Sequence, residues 1–155
     1  METLQLRDIA CYLPYKLKLK SGTMVETMTG IEYNQGLIHF GEGEYDWFNC
    51  GNLVKPILRP ISDLYKPLED GTIPIVELAK IFSPHYEWEL RKDFVEAKTG
   101  GGIYTFEFDE GYNIFLADNS ANCVNQIQLF DYINKHHFDY RNLIQRNLAI
   151  DINTI

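Results

Sequence analysis

Residues 124–155 read VNQIQLFDYINKHHFDYRNLIQRNLAIDINTI, and this closing stretch indicates how the chain packs. Its apolar residues recur at steps of three and four, the spacing of an amphipathic helix with one buried face. The members of this stripe are Val124, Ile127, Phe130, Ile133 and His137. The spacing therefore predicts a helix whose buried face packs against the rest of the fold.

The residues after this helix predict two further elements. Asp139 is placed to cap a second short helix that runs through Leu143 and Ile144, because a carboxylate accepts the free N–H groups at a helix start. The final residues then alternate between apolar and other positions, as a strand does. The apolar members of this tail are Leu148, Ile150 and Ile152.

Two β-hairpins are predicted upstream, each with a turn that contains a glycine. The first pairs residues 25–33 with 37–40, and the second pairs 103–108 with 112–117. Side chains alternate between the two faces of a strand. The strand over residues 103–108 therefore has Tyr104, Phe106 and Phe108 on one face and Ile103, Thr105 and Glu107 on the other.

Prolines set further boundaries. A short N-terminal helix is expected to stop before Pro14, because the residue before a proline avoids the helical region. Pro56, Pro60 and Pro67 exclude a continuous helix in the middle of the chain, where extended segments with single turns are expected. A further helix is predicted to begin near Pro74 and to run through Phe82.

These elements predict an α+β fold, with antiparallel β-hairpins or a sheet packed against the C-terminal amphipathic helix and one or two shorter helices. The chain has 155 residues, of which 45% are hydrophobic, so it can bury a substantial core without disulfides or metals. No shift of composition marks a linker. We therefore expect one globular domain over residues 1–155.

The cysteines and the hydropathy indicate a compartment. Cys11, Cys50 and Cys123 are an odd number without the spacing of a metal site, which fits a reducing cytosol. The N-terminus does not resemble a signal peptide, and no uncharged apolar run reaches the roughly 18 residues of a membrane span. A cytoplasmic protein without membrane contact is the expectation.

The negative charge is unevenly distributed along the sequence. The net charge is −8, and residues 21–54 and 99–134 contain no lysine or arginine. Contact with phosphate backbones depends on those two residue types, so direct nucleic-acid binding is not expected, although a small basic patch is compatible with this pattern. Whether the two acidic stretches share one face is a question for the structure.

Three candidate sites for chemistry are weak. Gly100, Gly101 and Gly102 lead into a strand rather than a helix, so they do not form a phosphate loop. His136 and His137 are neighbours that point about 100° apart on a helix, which favours a half-buried His137 with a backbone partner over a metal pair. His85 could meet Glu87 and Glu89 on an extended strand, but a solvated face is favoured. No catalytic residue, metal ligand or cofactor is assigned.

One segment is the best candidate for binding. It combines aromatic rings with carboxylates after a glycine-containing turn, a composition that suits a protein contact or a stacked sugar. The alternative is that Trp47 and Phe48 enter the core, as large aromatic side chains usually do. The candidate residues are Glu42, Glu44, Tyr45, Asp46, Trp47 and Phe48.

Two segments carry a resemblance to a known group. KPILRPISDL at Lys55–Leu64 and HFDYRNLIQRNLAIDINTI at His137–Ile155 resemble small prophage and mobile-element proteins of gut anaerobic bacteria. Asn147 stands where those proteins tend to have glycine, and asparagine also tolerates the left-handed conformation at a helix end. The resemblance implies a bacterial host cell as the setting. It implies no activity.

Three hypotheses about function remain open. The first is a non-catalytic accessory protein that binds a host or phage protein, with an acidic nucleic-acid mimic as a special case. The second is a small hydrolase or metal-dependent enzyme that uses histidine and carboxylate groups. The third is an assembly protein of a particle, which would form oligomers through exposed strand edges.

Overall fold

A computed structural model describes residues 2–46, 53–117, 122–123 and 126–155. The contacts divide the chain into two compact units, and each is described by itself. The first unit comprises Met1–Pro60 and Asn134–Ile155, and the second unit comprises Ile61–Ile133. The mixture of helices with mainly antiparallel sheets confirms the α+β class. The expectation of a single domain stays a prediction.

The sheet of the first unit is built around a four-strand meander. Strands β1 to β4 follow one another as antiparallel neighbours, and β5 pairs with the free side of β1. The short strands β11 and β12 both run parallel to β5. The bounds are β1 Lys18–Ser21, β2 Met24–Glu32, β3 Leu37–Phe40, β4 Gly43–Asp46, β5 Val54–Pro60, β11 Phe138–Asp139 and β12 Ile150–Asp151. The first predicted hairpin is thus confirmed as β2–β3.

The N-terminal helix departs from its predicted end. Helix α1 spans only Leu6–Ile9, and a 3-10 helix continues over Ala10–Tyr15 with Pro14 inside it. The expected stop before Pro14 is therefore wrong. A 3-10 helix is tighter and short, and it accommodates the proline in its last turn. The chain leaves this helix at Lys16, whose φ is +58°.

Strand β5 contains two prolines although it has neighbours on both sides. Proline cannot donate to a ladder, so it is usually kept to edges and strand ends. β1 pairs with Val54–Pro56, whereas β12 and β11 pair with the remainder of β5. Pro56 and Pro60 thus each lie at the end of a ladder. The predicted extended conformation of this stretch is confirmed, with Leu58 fully buried.

The closing stretch agrees with the sequence in part. Helix α3 spans Gln126–Lys135 and buries Leu129 and Ile133, whereas Ile127 is 75% exposed. The predicted stripe was wrong at Ile127, because burial of Leu129 turns the inner face away from it. Val124 lies outside the described residues.

Beyond α3, turns take the place of the predicted short helix over residues 143–147. Asp139 still caps this segment, since its two carboxylate oxygens accept the N–H groups of Leu143 and Ile144 at 2.9 and 2.7 Å. Asn147 has φ +58°, as its left-handed position requires. Of the predicted alternating tail, only Ile150–Asp151 forms a strand, β12. The prediction is wrong at Ile152, because Ile152–Thr154 is a 3-10 helix that Asp151 caps.

The second unit places helices and an antiparallel sheet around an aromatic core. Helix α2, Pro74–Phe82, begins with proline at its first turn and ends before Pro84, as predicted. The strands β6 to β10 pair in chain order. The bounds are a 3-10 helix Ile61–Tyr65, α2 Pro74–Phe82, β6 Trp88–Leu90, β7 Val95–Thr99, β8 Gly102–Asp109, β9 Ile114–Ala117 and β10 Asn122–Cys123.

The second predicted hairpin is confirmed as β8–β9, with Phe106 opposite Ala117 and Phe108 opposite Phe115. Phe106 and Phe115 are fully buried and their rings stack at 5.6 Å. Ile103, on the other face of β8, is 60% exposed. We call the face that carries Ile103 the outer face of this sheet. Within the described residues, no helix is both long and apolar enough to cross a bilayer.

Candidate interaction surfaces

We call the candidate binding residues Glu42–Phe48 the acidic–aromatic segment, and its described part, residues 42–46, lies at the edge of the first unit's sheet. Glu42 is exposed in the turn between β3 and β4, and Gly43–Asp46 forms β4, so this strand provides the backbone of Glu44, Tyr45 and Asp46. β4 is the terminal strand in the sheet order of the described residues. Trp47 and Phe48 lie outside those residues, so their proposed role stays a prediction.

The turn before β4 requires a glycine at position 41. Gly41 has φ +59°, and a Cβ atom added there would lie 3.2 Å from the Cγ atom of Glu26. A glycine satisfies both constraints, because it has no Cβ and accepts a positive φ. Glu26 and Glu42 are both exposed at this end of the sheet. Glu42 thus lies in the turn itself, whereas Glu26 lies in β2 beside Gly41.

His85 does not form a site with its neighbouring acids. His85, Glu87 and Glu89 are all exposed, and Glu89 accepts a hydrogen bond from Arg91 at 2.8 Å. Over the described part of the chain, no three His, Cys, Asp or Glu side chains are grouped so as to hold a metal ion. The solvated-face interpretation of this segment is confirmed by these exposures.

His137 is a half-buried residue with a backbone partner, as expected. It lies beyond the end of α3 rather than on the helical stripe, with φ +58°. Its Nε2 atom is 2.8 Å from the carbonyl oxygen of Tyr15, so the neutral ring carries its proton on Nε2. Burial lowers the pKa of His137, and the charges of Arg59 and Lys18 lower it further. This geometry gives the ring a structural role.

Acid should destabilise the protein through His137. Its folded-state pKa lies below the usual 6.5, so the unfolded chain binds the proton more readily. The contribution of neutral His137 to the free energy of unfolding is therefore complete above about pH 6.5. It is lost as the pH falls through the lower, folded-state pKa. We expect His137→Asn, which tolerates the positive φ, to flatten the dependence of the urea midpoint on pH between about 5 and 7. His85→Asn is the control at an exposed position and should keep the wild-type dependence of the urea midpoint on pH. If His137→Asn also kept the wild-type dependence, the role given to His137 would be contradicted.

The other candidates for chemistry have structural roles. The triple glycine forms the turn from β7 into β8, which confirms the hairpin interpretation over a phosphate loop. Cys11 is half-buried and accepts a hydrogen bond from the Tyr140 hydroxyl at 3.6 Å. Burial raises the pKa of the Cys11 thiol, whereas a nucleophilic cysteine needs a lowered pKa.

The net charge is confined to one of the two units. The first unit has nine basic and nine acidic side chains, which sum to zero. The second unit has five basic and thirteen acidic side chains, which sum to −8, the charge of the whole chain. The sequence shows the acidic stretches. It does not show this division of the net charge between the units, because residues 134–155 belong to the first unit together with residues 1–60.

On the outer face of the second unit's sheet, an arginine pairs with two of these acidic side chains. Glu89 lies directly opposite Glu96, an arrangement that repels. Arg91 donates hydrogen bonds to both carboxylates and holds the pKa of Glu96 below its usual range. Glu107, farther along the same face, is exposed and has no ion pair among the described residues.

A shallow groove adjoins Glu107. Its volume is about 300 Å³, and four of its six lining residues are acidic. The Tyr65 hydroxyl accepts the N–H of Phe108 at 3.2 Å, just beyond the residues of β8 that pair with β7. The phenol thus takes the place of a missing strand partner. The lining residues are Tyr65, Asp93, Glu107, Phe108, Asp109 and Glu110.

Removing the Tyr65 hydroxyl should leave the Phe108 N–H without its partner. We expect Tyr65→Phe to lower the free energy of unfolding by about 1 kcal/mol and to speed hydrogen exchange at the Phe108 amide. Tyr112→Phe is the control, because Tyr112 is 80% exposed in the same unit. Urea denaturation and amide exchange measure both effects. Equal exchange at Phe108 in the two variants would contradict the role given to Tyr65.

No protein-family model matches this chain, and no curated protein or solved structure matches it either. The resemblance to prophage and mobile-element proteins therefore stays an expectation.

Proposed function

We propose that the protein is a non-catalytic accessory protein that acts in the cytoplasm of a bacterial host cell by binding a host or phage protein. The contact surface in this proposal is the acidic–aromatic segment Glu42–Phe48. The mobile-element setting comes from the resemblance of Lys55–Leu64 and His137–Ile155 alone.

One observation carries the proposal: β4 is the terminal strand of its sheet within the described residues. A terminal strand offers backbone N–H and C=O groups along its outer edge, and an extended segment of a partner can pair with them. Exposed Glu42 lies in the turn where this edge begins, and exposed Glu26 lies in β2 beside Gly41. The edge supplies backbone hydrogen bonds, and the acidic and aromatic side chains of the segment would supply selectivity.

The test is affinity capture from a lysate of the host bacterium, with three immobilised full-length proteins. The wild type is expected to retain a reproducible partner, and Glu42→Lys combined with Tyr45→Ser is expected to lose it. Glu69→Lys is the matched control, because Glu69 is an exposed acid of the second unit. Retention of the same partner by the double variant, or no partner in repeated captures by the wild type, would reject the proposal.

A further inference from the structure

The outer face of the second unit's sheet combines apolar and acidic groups. The β8–β9 register places Glu107 opposite Leu116 on this face, and the β7–β8 register places Lys98 opposite Ile103. Leu116 is half-buried, and Ile103 is 60% exposed. The face is thus neither a uniformly polar solvent face nor a buried core face.

The turn that joins β8 to β9 adds an aromatic side chain to the same unit. Tyr112 is 80% exposed, and its backbone N–H is held by Asp109 Oδ1 at 3.1 Å. Asp109 and Glu110 also line the groove beside Tyr65. An exposed ring on a turn that also carries Asp109 and Glu110 suits a cationic side chain, which can pair with the acids and stack on the ring.

The negative charge of the second unit favours a positively charged partner. The whole net charge of −8 belongs to residues 61–133, so the field around this unit attracts cations and repels polyanions. A nucleic acid is therefore excluded as the occupant of this face on electrostatic grounds. The exposed apolar side chains require more than a simple ion, because they gain stability only against another apolar surface.

We propose that the outer face of the second unit is a docking surface for a basic protein segment in which arginine or lysine alternates with apolar residues. The apolar side chains of the segment cover Ile103 and Leu116. The basic side chains meet Glu107, Glu110 and the groove beside Tyr65. This surface depends on the function proposed above only in that the protein works by binding, and it lies on the other unit.

The experiment uses the full-length protein and a synthetic peptide in which arginine alternates with valine. Binding is measured by fluorescence anisotropy at about 0.15 M salt, where charges farther apart than about 8 Å are largely screened. A peptide with glutamate in place of arginine is the first control and should not bind. Glu107→Lys with Glu110→Lys should weaken binding of the arginine peptide by at least about tenfold.

A matched variant separates the face from the overall charge. Glu2→Lys with Glu32→Lys, at two exposed acids of the first unit outside the Glu42–Phe48 segment, makes the same change of net charge and should alter the affinity by less than about twofold. Ile103→Ser, which leaves the charge unchanged, should also weaken binding, because it removes an apolar contact. Equal weakening by the two double variants, an unaffected Ile103→Ser variant, or no binding of the arginine peptide would each overturn the proposal.

The outcomes also distinguish the two surfaces. Loss of the captured partner in Glu42→Lys with Tyr45→Ser, together with failure of peptide binding by the wild type, would reject the outer face alone. Specific peptide binding without any captured partner would reject the Glu42–Phe48 contact and leave the outer face standing.

Discussion

Replacing Phe106 with alanine is expected to lower the free energy of unfolding by about 3–5 kcal/mol, the range for truncating a buried aromatic side chain. Phe106 is fully buried at the centre of the second unit's core. Its ring lies 5.7 Å from that of Phe82, 5.6 Å from Phe115 and 6.2 Å from Trp88. Alanine would remove these ring contacts and leave a cavity that rigid aromatic neighbours fill poorly.

Urea denaturation, followed by tryptophan fluorescence and circular dichroism, measures the effect. Ile103→Ala is the matched control, because Ile103 is on the same strand but 60% exposed on the outer face. It should change the free energy of unfolding by no more than about 0.5 kcal/mol. A cost for Ile103→Ala as large as that for Phe106→Ala would mean that the faces of β8 are assigned the wrong way round.

Replacing Asp139 with alanine should have the second-largest effect, a loss of about 2–4 kcal/mol. Asp139 is 3% exposed, and its two oxygens accept the N–H groups of Leu143 and Ile144. Alanine would leave both donors without their acceptor. Asp139→Asn keeps one acceptor oxygen in nearly the same volume, so it should lose about half as much.

Asp151→Ala is the control for this prediction. Asp151 also accepts a backbone N–H, that of Asn153 at 2.9 Å, but Asn153 is exposed and water can replace the carboxylate. Its loss should cost less than about 1 kcal/mol. Urea midpoints for the three variants test the ranking. An Asp139→Ala variant no less stable than Asp151→Ala would show that the buried cap does not hold the closing segment.

Local rules explain what the sequence predicted well. Pro74 fits the first turn of α2, Asp139 accepts the backbone N–H groups that follow it, and Asn147 adopts the left-handed conformation. Each of these outcomes depends on a few consecutive residues. The two hairpins were predictable for the same reason, because strand alternation and turn residues are adjacent in sequence.

Tertiary packing explains the errors. The exposed Ile127 shows that the inner face of α3 is chosen by what packs against Leu129, which periodicity alone does not reveal. A 3-10 helix around Pro14 and a turn in place of a second short helix are likewise choices between local structures of similar energy. The acidic stretches were visible in the sequence. That the net charge of −8 belongs to the second unit was not visible, because it depends on where the chain re-enters the first unit.

The parallel pairing of β5 with β11 has a consequence for the order in which the chain folds. Arg59 pairs with Phe138 and Pro60 with Asp139, although the whole second unit separates them in sequence. During synthesis β5 therefore emerges long before the strand that completes its far edge. In a nascent chain, β5 cannot pair with β11 until residue 139 has left the ribosome. Strand pairing between residues so far apart in sequence slows folding. The segment that follows the second unit in the sequence is thus the one that closes the first unit.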